Sequence, residues 1–330
     1  MGFFDGLKRD KKKNEPVIQE QHQIEEVDDE IAIDHIEVVE RDPAPVTPAP
    51  VDDASCEMEP RPIKSYKDKQ PVTHVIGQTK IIAIINQKGG VGKSTTAINL
   101  AAALGELGKQ VLLVDLDPQG NSSSGLGIEK NRVDNCIYDV LLNDVPITDV
   151  IIPDVYPGLD LVPATINLAG AEVELVSEMA RENRLKDAVG SLRGRYDYVF
   201  IDCPPSLGLL TINALVAADK LLIPIQCEFY ALEGVTKLLD SMKRVKTRLN
   251  PTLDIYGVLM TMYDGRTTLS RQVVEEVRGY FGNVVFKTQI PRTVKLSEAP
   301  SFGQPINQYD PTGKGALSYM ELAKEVISRG

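Results

Sequence analysis

The chain has 330 residues, of which 42% are hydrophobic and 5% aromatic, and it contains no tryptophan, so its core must be built mainly from aliphatic side chains. It has no run of 18 apolar residues, which argues against a transmembrane helix, and we expect no secretory signal because the first residues lack an apolar segment. The four cysteines lie far apart without a CxxC pair, so we expect neither a disulfide framework nor a thiolate metal site. We therefore expect the protein to reside in the reducing cytoplasm.

The formal net charge of −11 is unevenly distributed along the chain. Residues 1–79 contain 10 Lys and Arg against 18 Asp and Glu, whereas residues 80–330 contain 26 against 29. Self-repulsion and a proline-rich run disfavour a packed fold before residue 80. We therefore predict a disordered acidic extension over residues 1–79 and a folded domain over residues 80–330. A solvating tail, a partner-binding tail and a short membrane-binding segment around Phe3 and Phe4 all remain open for the extension.

From Lys80 onwards, short runs rich in β-branched residues alternate with helical stretches. The predicted strands are Ile81–Ile85, Val111–Val114, Tyr198–Ile201, Leu221–Ile225, Tyr256–Met262 and Val284–Phe286. The predicted helices cover residues 93–106, 167–192, 206–217, 231–249, 268–281 and 315–328. Continuous apolar strands separated by helices predict an α/β domain with a doubly wound, mostly parallel sheet and helices on both faces.

The first predicted strand leads into the glycine-rich segment 86–95, which reads NQKGGVGKST. Glycines let successive backbone N–H groups face one anion, and the helix that follows adds the positive end of its dipole. Lys93 can contact the β- and γ-phosphates of a nucleotide, and the Ser94 hydroxyl can ligate Mg²⁺. The usual phosphate-loop pattern fails at Gln87, and a second lysine, Lys88, stands at the start of the loop instead. A turn that binds nothing would leave these two lysines without an anionic partner.

This segment resembles the deviant Walker family of P-loop ATPases, which includes chromosome and plasmid partition ATPases, septum-site positioning ATPases and the nitrogenase iron protein. The resemblance implies that ATP is bound by Lys88, Gly89, Gly90, Val91, Gly92, Lys93, Ser94 and Thr95. It also implies that Lys88 reaches across a homodimer to the phosphates of the partner, while Lys93 acts within its own subunit. Gly89 would lie at the dimer seam, where a side chain would obstruct close approach.

Two further strands end in carboxylates. The second predicted strand is followed by Asp115 and Asp117, and the third delivers Asp202 at its carboxyl end, where ligands of such sheets bind. The resemblance implies that Asp117 positions the attacking water, that Asp115 supports its loop, and that Asp202 and Ser94 hold Mg²⁺. The alternative for Asp117 is that it only starts a turn.

Other catalytic chemistries find little support. No histidine follows position 74, so Ser/His and Cys/His hydrolases are not expected. Cys203 is expected to be a packing residue, and the scattered cysteines disfavour an iron–sulfur protein such as the nitrogenase branch.

The last third of the chain narrows the resemblance to one branch. Residues 261–269 and 290–301 are similar to segments of chromosomal ParA (Soj) ATPases, and the likeness extends over about residues 80–328. It implies that Pro291 and Arg292 line the adenine pocket and that Arg266 and Lys295 bind DNA. Many members carry arginine where this chain has Lys295, which keeps the charge but loses the bidentate fork.

The resemblance thus implies an Mg²⁺-dependent ATPase of the cytoplasm, associated with the nucleoid. ATP would close a homodimer that binds double-stranded DNA without sequence preference, and a ParB/Spo0J-type centromere-binding protein would stimulate hydrolysis and release. The alternative is a MinD-like positioning ATPase at a membrane, which is not expected because residues 321–330 are mixed in charge. The sequence does not distinguish chromosome from plasmid segregation.

Overall fold

A computed structural model describes residues 77–229 and 231–329. Most of the acidic extension, including the segment around Phe3 and Phe4, lies outside the described residues, so the predictions for it stay predictions. None of the described helices combines the length and the apolar character needed to cross a bilayer.

The domain is built on one eight-stranded sheet with the strand order β3-β4-β2-β5-β1-β6-β7-β8. The strands are β1 Lys80–Ile84, β2 Val111–Asp115, β3 Ile152–Tyr156, β4 Leu159–Val162, β5 Tyr198–Asp202, β6 Lys220–Gln226, β7 Asp254–Tyr263 and β8 Val285–Pro291. Seven strands run parallel, and only the edge strand β3 pairs antiparallel, with β4. The predicted doubly wound, mostly parallel sheet is confirmed.

Helices cover both faces of the sheet. They are α1 Lys93–Glu106, α2 Asn121–Gly125, α3 Ile137–Leu142, α4 Ile147–Val150, α5 Leu168–Glu174, α6 Arg184–Gly190, α7 Leu209–Ala217, α8 Glu233–Arg248, α9 Thr268–Phe281, α10 Lys295–Glu298, α11 Ile306–Tyr309 and α12 Lys314–Ser328. One buried cluster joins the sheet to α3 to α9, and a second joins the opposite face to α1 and α12. Strands buried on both sides explain why their sequences are continuously apolar.

The order of the central strands determines where the site can form. Strand β5 lies between β2 and β1, and all three are parallel. Their carboxyl ends therefore meet at one edge of the sheet, and Asp115 lies directly opposite Asp202 in the β2–β5 register. The glycine-rich loop follows β1 at the same edge, so three segments far apart in sequence converge there.

The predicted single helix over residues 167–192 is wrong. The segment forms α5, a 3-10 turn at Leu175–Ser177 and, after a break, α6. Asn213 of α7 stabilises the break, because its side-chain amide donates to the Arg181 carbonyl at 2.8 Å and its oxygen accepts from the Leu185 N–H at 3.1 Å. A tertiary partner thus outweighs local helix propensity.

The β3–β4 hairpin was not predicted. Strand β3 contains Pro153 and also Asp154 at a φ of +54°, and its pairing with β4 has a register irregularity. These features weaken the alternating pattern by which strands are recognised. The turn requires Gly158, whose φ is +71° and whose added Cβ would lie 2.7 Å from the Lys109 carbonyl oxygen.

Candidate nucleotide-binding site

The glycine-rich loop between β1 and α1 has the geometry of an anion-binding loop. Gly90 and Gly92 adopt φ values of +74° and +88°, a left-handed conformation that residues with a Cβ rarely adopt. Gly92 precedes the first residue of the 14-residue helix α1, and no side chain caps this helix end. Its first backbone N–H groups and the positive end of its dipole are therefore available to a bound phosphate.

The two lysines of the loop lie in different environments. Lys93 is only 7% exposed, and its ammonium donates to the Lys88 carbonyl at 3.3 Å. Burial lowers its pKa, while Asp202 and Asp117 act in the opposite direction. Lys88 lies at the surface, where its ammonium pairs with Glu228 at 3.1 Å. The structure thus places Lys93 inside the loop and Lys88 on its outer side.

Asn86 orients the start of the loop, although it was not among the site residues predicted from the sequence. Its side-chain amide donates to the Pro224 carbonyl on β6 at 2.7 Å, and its oxygen accepts the backbone N–H of Lys88 at 3.0 Å. The position of Lys88 is therefore tied to a neighbouring strand. An asparagine directly after a buried strand was the signal that could have identified this contact.

Asp115 and Asp202 form a buried acidic pair connected to one serine segment. Asp115 accepts from both the backbone N–H and the hydroxyl of Ser123 at 2.8 and 2.7 Å, and Asp202 accepts from the Ser122 hydroxyl at 2.7 Å. Burial raises the pKa of both carboxyl groups, and for Asp115 the nearby Asp202 charge adds to this effect. Ser122 and Ser123 of α2 thus connect the carboxyl ends of β2 and β5, a role that their position in the sequence did not reveal.

One oxygen of Asp202 has the environment expected of a metal ligand. Asp202 is fully buried, and its Oδ1 has no hydrogen-bond partner among the described residues. A buried carboxylate oxygen of this kind is costly unless something compensates it. The hydroxyls of Ser122 and Ser94 lower the pKa of this carboxyl, opposing its burial. The described residues contain no cluster of three or more His, Cys, Asp or Glu that could hold a metal, but Mg²⁺ beside phosphates needs only one or two protein ligands.

Asp117 lies in the turn that follows β2 and is buried. Its Oδ1 accepts the Gln119 N–H at 2.9 Å, and its own backbone N–H donates to Asp115 at 3.3 Å. Lys130 holds the same turn from outside by donating to the Gln119 carbonyl at 2.8 Å. Asp117 does start a turn, as the simpler interpretation expected, and the same turn directs it into a cleft.

That cleft has a volume of about 780 Å³ and extends from the loop to the carboxyl end of β8. Among the predicted residues, those that line it are Gly89, Gly90, Gly92, Lys93, Ser94, Thr95, Asp117, Pro291 and Arg292. Val91 is buried instead, and its carbonyl accepts the Thr261 hydroxyl of β7 at 2.8 Å. The structure therefore brings both predicted adenine residues and most of the predicted phosphate residues into one cavity, whereas Lys88, Val91 and Asp202 are not among the residues that line it.

The two residues predicted to bind DNA are held by neighbouring acids. The Arg266 side chain is 91% exposed and forms two hydrogen bonds to Asp264, at 2.9 and 2.8 Å, which lowers the pKa of Asp264 to about 2. The ammonium of Lys295 lies 2.9 Å from Glu298 and 5.4 Å from the centre of the Tyr309 ring. Both cations lie at the surface, each beside a carboxylate.

The three cysteines within the described residues have the environment of packing residues. Cys136, Cys203 and Cys227 are buried and unpaired. Burial raises the pKa of the Cys203 thiol well above its ordinary value and that of Cys227 to about 12. A thiol that resists ionisation is a poor nucleophile, which agrees with the expectation for Cys203.

A family model and several known proteins match most of the folded domain. The family model described as an AAA domain matches residues 79–255. The chain is 59% identical to the sporulation initiation inhibitor protein Soj of Bacillus subtilis over 251 residues, which are 76% of this chain and 99% of that protein. It is 56% identical to the chromosome partitioning protein ParA of Myxococcus xanthus over 76% of this chain and 88% of that protein.

Solved structures share the fold. A structure described as cobyrinic acid a,c-diamide synthase from Mycobacterium smegmatis, with bound ADP and magnesium, is 41% identical with a TM-score of 0.66, covering 76% of this chain and 94% of that one. The septum site-determining protein MinD of Pyrococcus horikoshii, complexed with Mg-ADP, is 29% identical with a TM-score of 0.62, covering 75% of this chain and 96% of that one.

Proposed function

The chain belongs to the ParA (Soj) family of partitioning P-loop ATPases, and we propose that it binds ATP with Mg²⁺ to form a homodimer that holds DNA until hydrolysis releases it. One observation carries the proposal. A glycine-rich loop ends at an uncapped helix terminus beside the buried Lys93, next to an Asp202 oxygen that lacks a partner among the described residues.

The proposal assigns the nucleotide-binding roles to residues at the cleft. Lys93 and the backbone of the loop over residues 88–95 contact the phosphates, and Pro291 and Arg292 contact the base at the far end of the cleft. Asp202 and Ser94 fit Mg²⁺, which would neutralise phosphate charge when bound. Asp117 orients the attacking water, and its carboxylate is already fixed by the Gln119 N–H.

The dimer is formed through the outer side of the loop. Lys88 lies at the surface, and its only ion pair among the described residues is with the exposed Glu228, which a partner's phosphate can replace. An added Cβ at Gly89 would meet no atom within 4 Å, so nothing in the described protomer requires glycine there. Close approach of a second subunit would explain that residue.

The DNA-binding role falls to Arg266 and Lys295. Both are exposed, and each lies beside a carboxylate that a DNA phosphate must displace. Such contacts are independent of sequence and weaken with salt. Pairing two protomers joins two weak faces into one binding unit, so affinity rises with dimerisation.

The protein's partners and location complete the proposed cycle. A ParB/Spo0J-type protein stimulates hydrolysis, and the protein acts on the nucleoid in the cytoplasm, on either a chromosome or a plasmid. The ATPase domain comprises residues 80–330 and is preceded by the acidic extension of residues 1–79. Identity to the Bacillus Soj protein is 59% against 29% to the MinD structure, which favours this branch over the membrane alternative.

A DNA-retention measurement tests the proposal. Wild type and Lys88→Ala are passed over immobilised double-stranded DNA with ATP, ADP or no nucleotide across a salt series, and their mass in solution is measured with a non-hydrolysable ATP analogue and Mg²⁺. Wild type should dimerise and be retained only with ATP. Lys88→Ala should bind nucleotide but stay monomeric and elute. Wild type that remains monomeric with the analogue would refute the proposal, and lipid binding without DNA binding would support the MinD-like alternative.

A further inference from the structure

Three lysines lie together at the amino edge of the sheet, opposite the edge that forms the nucleotide cleft. Lys80 and Lys220 are the first residues of β1 and β6, and Lys109 lies two residues before β2. In the parallel β1–β6 register Lys220 lies beside Ile82. Because side chains alternate along a strand, Lys80 and Lys220 therefore share one face of the sheet. We call the three lysines the amino-edge cluster.

The amino-edge cluster is short of negative charge. Burial lowers the pKa of Lys80, and the positive charges of Lys109 and Lys220 lower it further, whereas Asp197 raises it. The Lys80 ammonium lies 5.3 Å from the centre of the Tyr198 ring. None of the three lysines forms an ion pair with a residue that the structure describes. Like charges that lie this close together favour the approach of an anionic group.

The carboxylates that flank Lys220 are bound to other cations. Asp219 precedes it in the chain, and Asp254 lies beside it in the β6–β7 register. Asp219 pairs with Arg193 at 2.7 Å, and Asp254 pairs with Lys246 at 3.7 Å. Within the described part of the chain, these acids therefore do not supply a counterion to the amino-edge cluster.

The sequence supplies an anionic partner directly before the cluster. Residues 14–59 contain 15 acidic residues and one basic residue, and we call them the acidic segment. Residues 60–79 join this segment to the cluster, and Thr79 fixes the point where the chain enters the domain. The Thr79 hydroxyl donates to the Tyr196 carbonyl and accepts the Gly194 N–H, both at 2.8 Å. A partner on a short tether acts at an effective concentration on the order of millimolar, so ion pairs that are individually weak can hold it.

We propose that the acidic segment docks on the amino-edge cluster of its own chain. Charge complementarity and the point of chain entry identify this occupant. At the carboxyl edge, Arg266 and Lys295 each already pair with a carboxylate, which an acidic segment would have to displace. The amino-edge lysines require no such displacement. Docking there leaves the surface proposed for DNA uncovered, and the inference does not depend on the proposed function.

Zero-length cross-linking of the full-length protein tests the proposal. A carbodiimide activates a carboxylate, and attack by the amine of a lysine in contact with it forms an amide bond while the activating group leaves as a urea. Peptide mass spectrometry measures the yield of cross-links between the acidic segment and each lysine. Each yield is normalised to the rate at which acetic anhydride labels that lysine, which corrects for differences in amine reactivity. Mixing isotope-labelled with unlabelled protein separates cross-links within a chain from those between chains.

Two double variants carry equal changes of charge. Lys109→Glu with Lys220→Glu reverses the cluster but keeps Lys80 as the reporter, and Lys237→Glu with Lys314→Glu is the matched control. Lys237 and Lys314 are exposed on α8 and α12, and neither forms an ion pair with another described residue. Binding of a fluorescent ATP analogue verifies that each variant is folded.

We expect cross-links within one chain, with a normalised yield at Lys80 roughly fivefold above that at Lys237, because charge concentrates the acidic segment at the cluster. The yield at Lys80 should fall about threefold or more in the cluster variant and at high salt, and it should stay unchanged in the control variant.

Three results would overturn the proposal. Equal normalised yields at Lys80 and Lys237, or an unchanged yield at Lys80 in the cluster variant, would favour a tail that is only solvated. A yield that is highest at Lys295 would place the acidic segment over the surface proposed for DNA. Cross-links that form only between chains would assign the cluster to a second copy of the protein.

Discussion

The nucleotide cleft and the surface around Arg266 and Lys295 both carry positive charge, but they hold it in opposite ways. Lys93 is 7% exposed and is fixed by the Lys88 carbonyl in a loop that other strands position. Arg266 is 91% exposed, and its partner Asp264 is two residues away on the same turn. In the cleft the tertiary structure organises the cation, whereas at the surface a local carboxylate pairs with it.

This difference predicts two kinds of electrostatic behaviour. Buried charge in a preorganised site is weakly screened and recognises one geometry. Exposed charge paired with a neighbouring acid is screened by salt and exchanges partners at little cost. We therefore expect nucleotide binding to be strong and specific, and DNA binding to be weak per phosphate, adjustable and sensitive to salt.

Loss of the Asp117 carboxylate is expected to have the largest effect. Asp117→Ala should lower ATP turnover by about 10²- to 10⁴-fold, the usual contribution of a positioned acid–base group. The affinity for ATP should change little, because the loop and Lys93 are intact. Single-turnover hydrolysis and equilibrium nucleotide binding separate the two quantities. Fast turnover by this variant would assign the water-positioning role to another residue.

Removal of the buried lysine tests the cleft side of the comparison. Lys93→Ala should weaken ATP binding by about 100-fold, because charge-assisted contacts contribute about 1.5–3 kcal/mol. Lys220→Ala is the control, since Lys220 is exposed at the start of β6, the opposite edge of the sheet. Titration with a fluorescent ATP analogue measures both. An ATP affinity of Lys93→Ala equal to that of wild type would show that Lys93 does not contact the phosphates.

Removal of the exposed arginine tests the surface side. Arg266→Ala should weaken DNA binding at every sequence and make the slope of log affinity against log salt shallower by about two, because the dimer then neutralises two phosphates fewer, one in each protomer. Arg132→Ala is a suitable control, because Arg132 is also exposed and ion-paired, with Glu129. DNA retention across a salt series gives the slope. A slope equal to that of wild type would place the DNA on another surface.

The smallest expected effect comes from the acid beside that arginine. Asp264→Asn should strengthen DNA binding by up to about fivefold, because an exposed ion pair competes only weakly with phosphate. Glu129→Gln, which frees Arg132 instead, should leave DNA binding unchanged. The difference in DNA affinity between Asp264→Asn and wild type should disappear at high salt. Weaker DNA binding in Asp264→Asn would mean that Asp264 orients Arg266 for DNA instead of competing with it.

Much of the fold could be predicted from the sequence, because the strong patterns are local. The helices over residues 93–106 and 268–281 have the predicted bounds, since an uninterrupted helical period and clear end signals specify them. The break between α5 and α6 had no such signal. It depends on Asn213, an amide from another helix that binds the Arg181 carbonyl and the Leu185 N–H.

The sequence by itself determined the chemistry of the site, because its parts are local features. One is the glycine-rich loop with its two lysines, and the other is the set of three carboxylates at or just after strand ends. Only the tertiary structure decided how they act together. The order of β2, β5 and β1 brings Asp115 opposite Asp202, and the hydroxyls of Ser122 and Ser123 then bind Asp202 and Asp115, respectively. The same folding buries Leu168 and Ala171 of α5 but leaves Val173 of that helix exposed, because which apolar residues face the core depends on the elements packed around them.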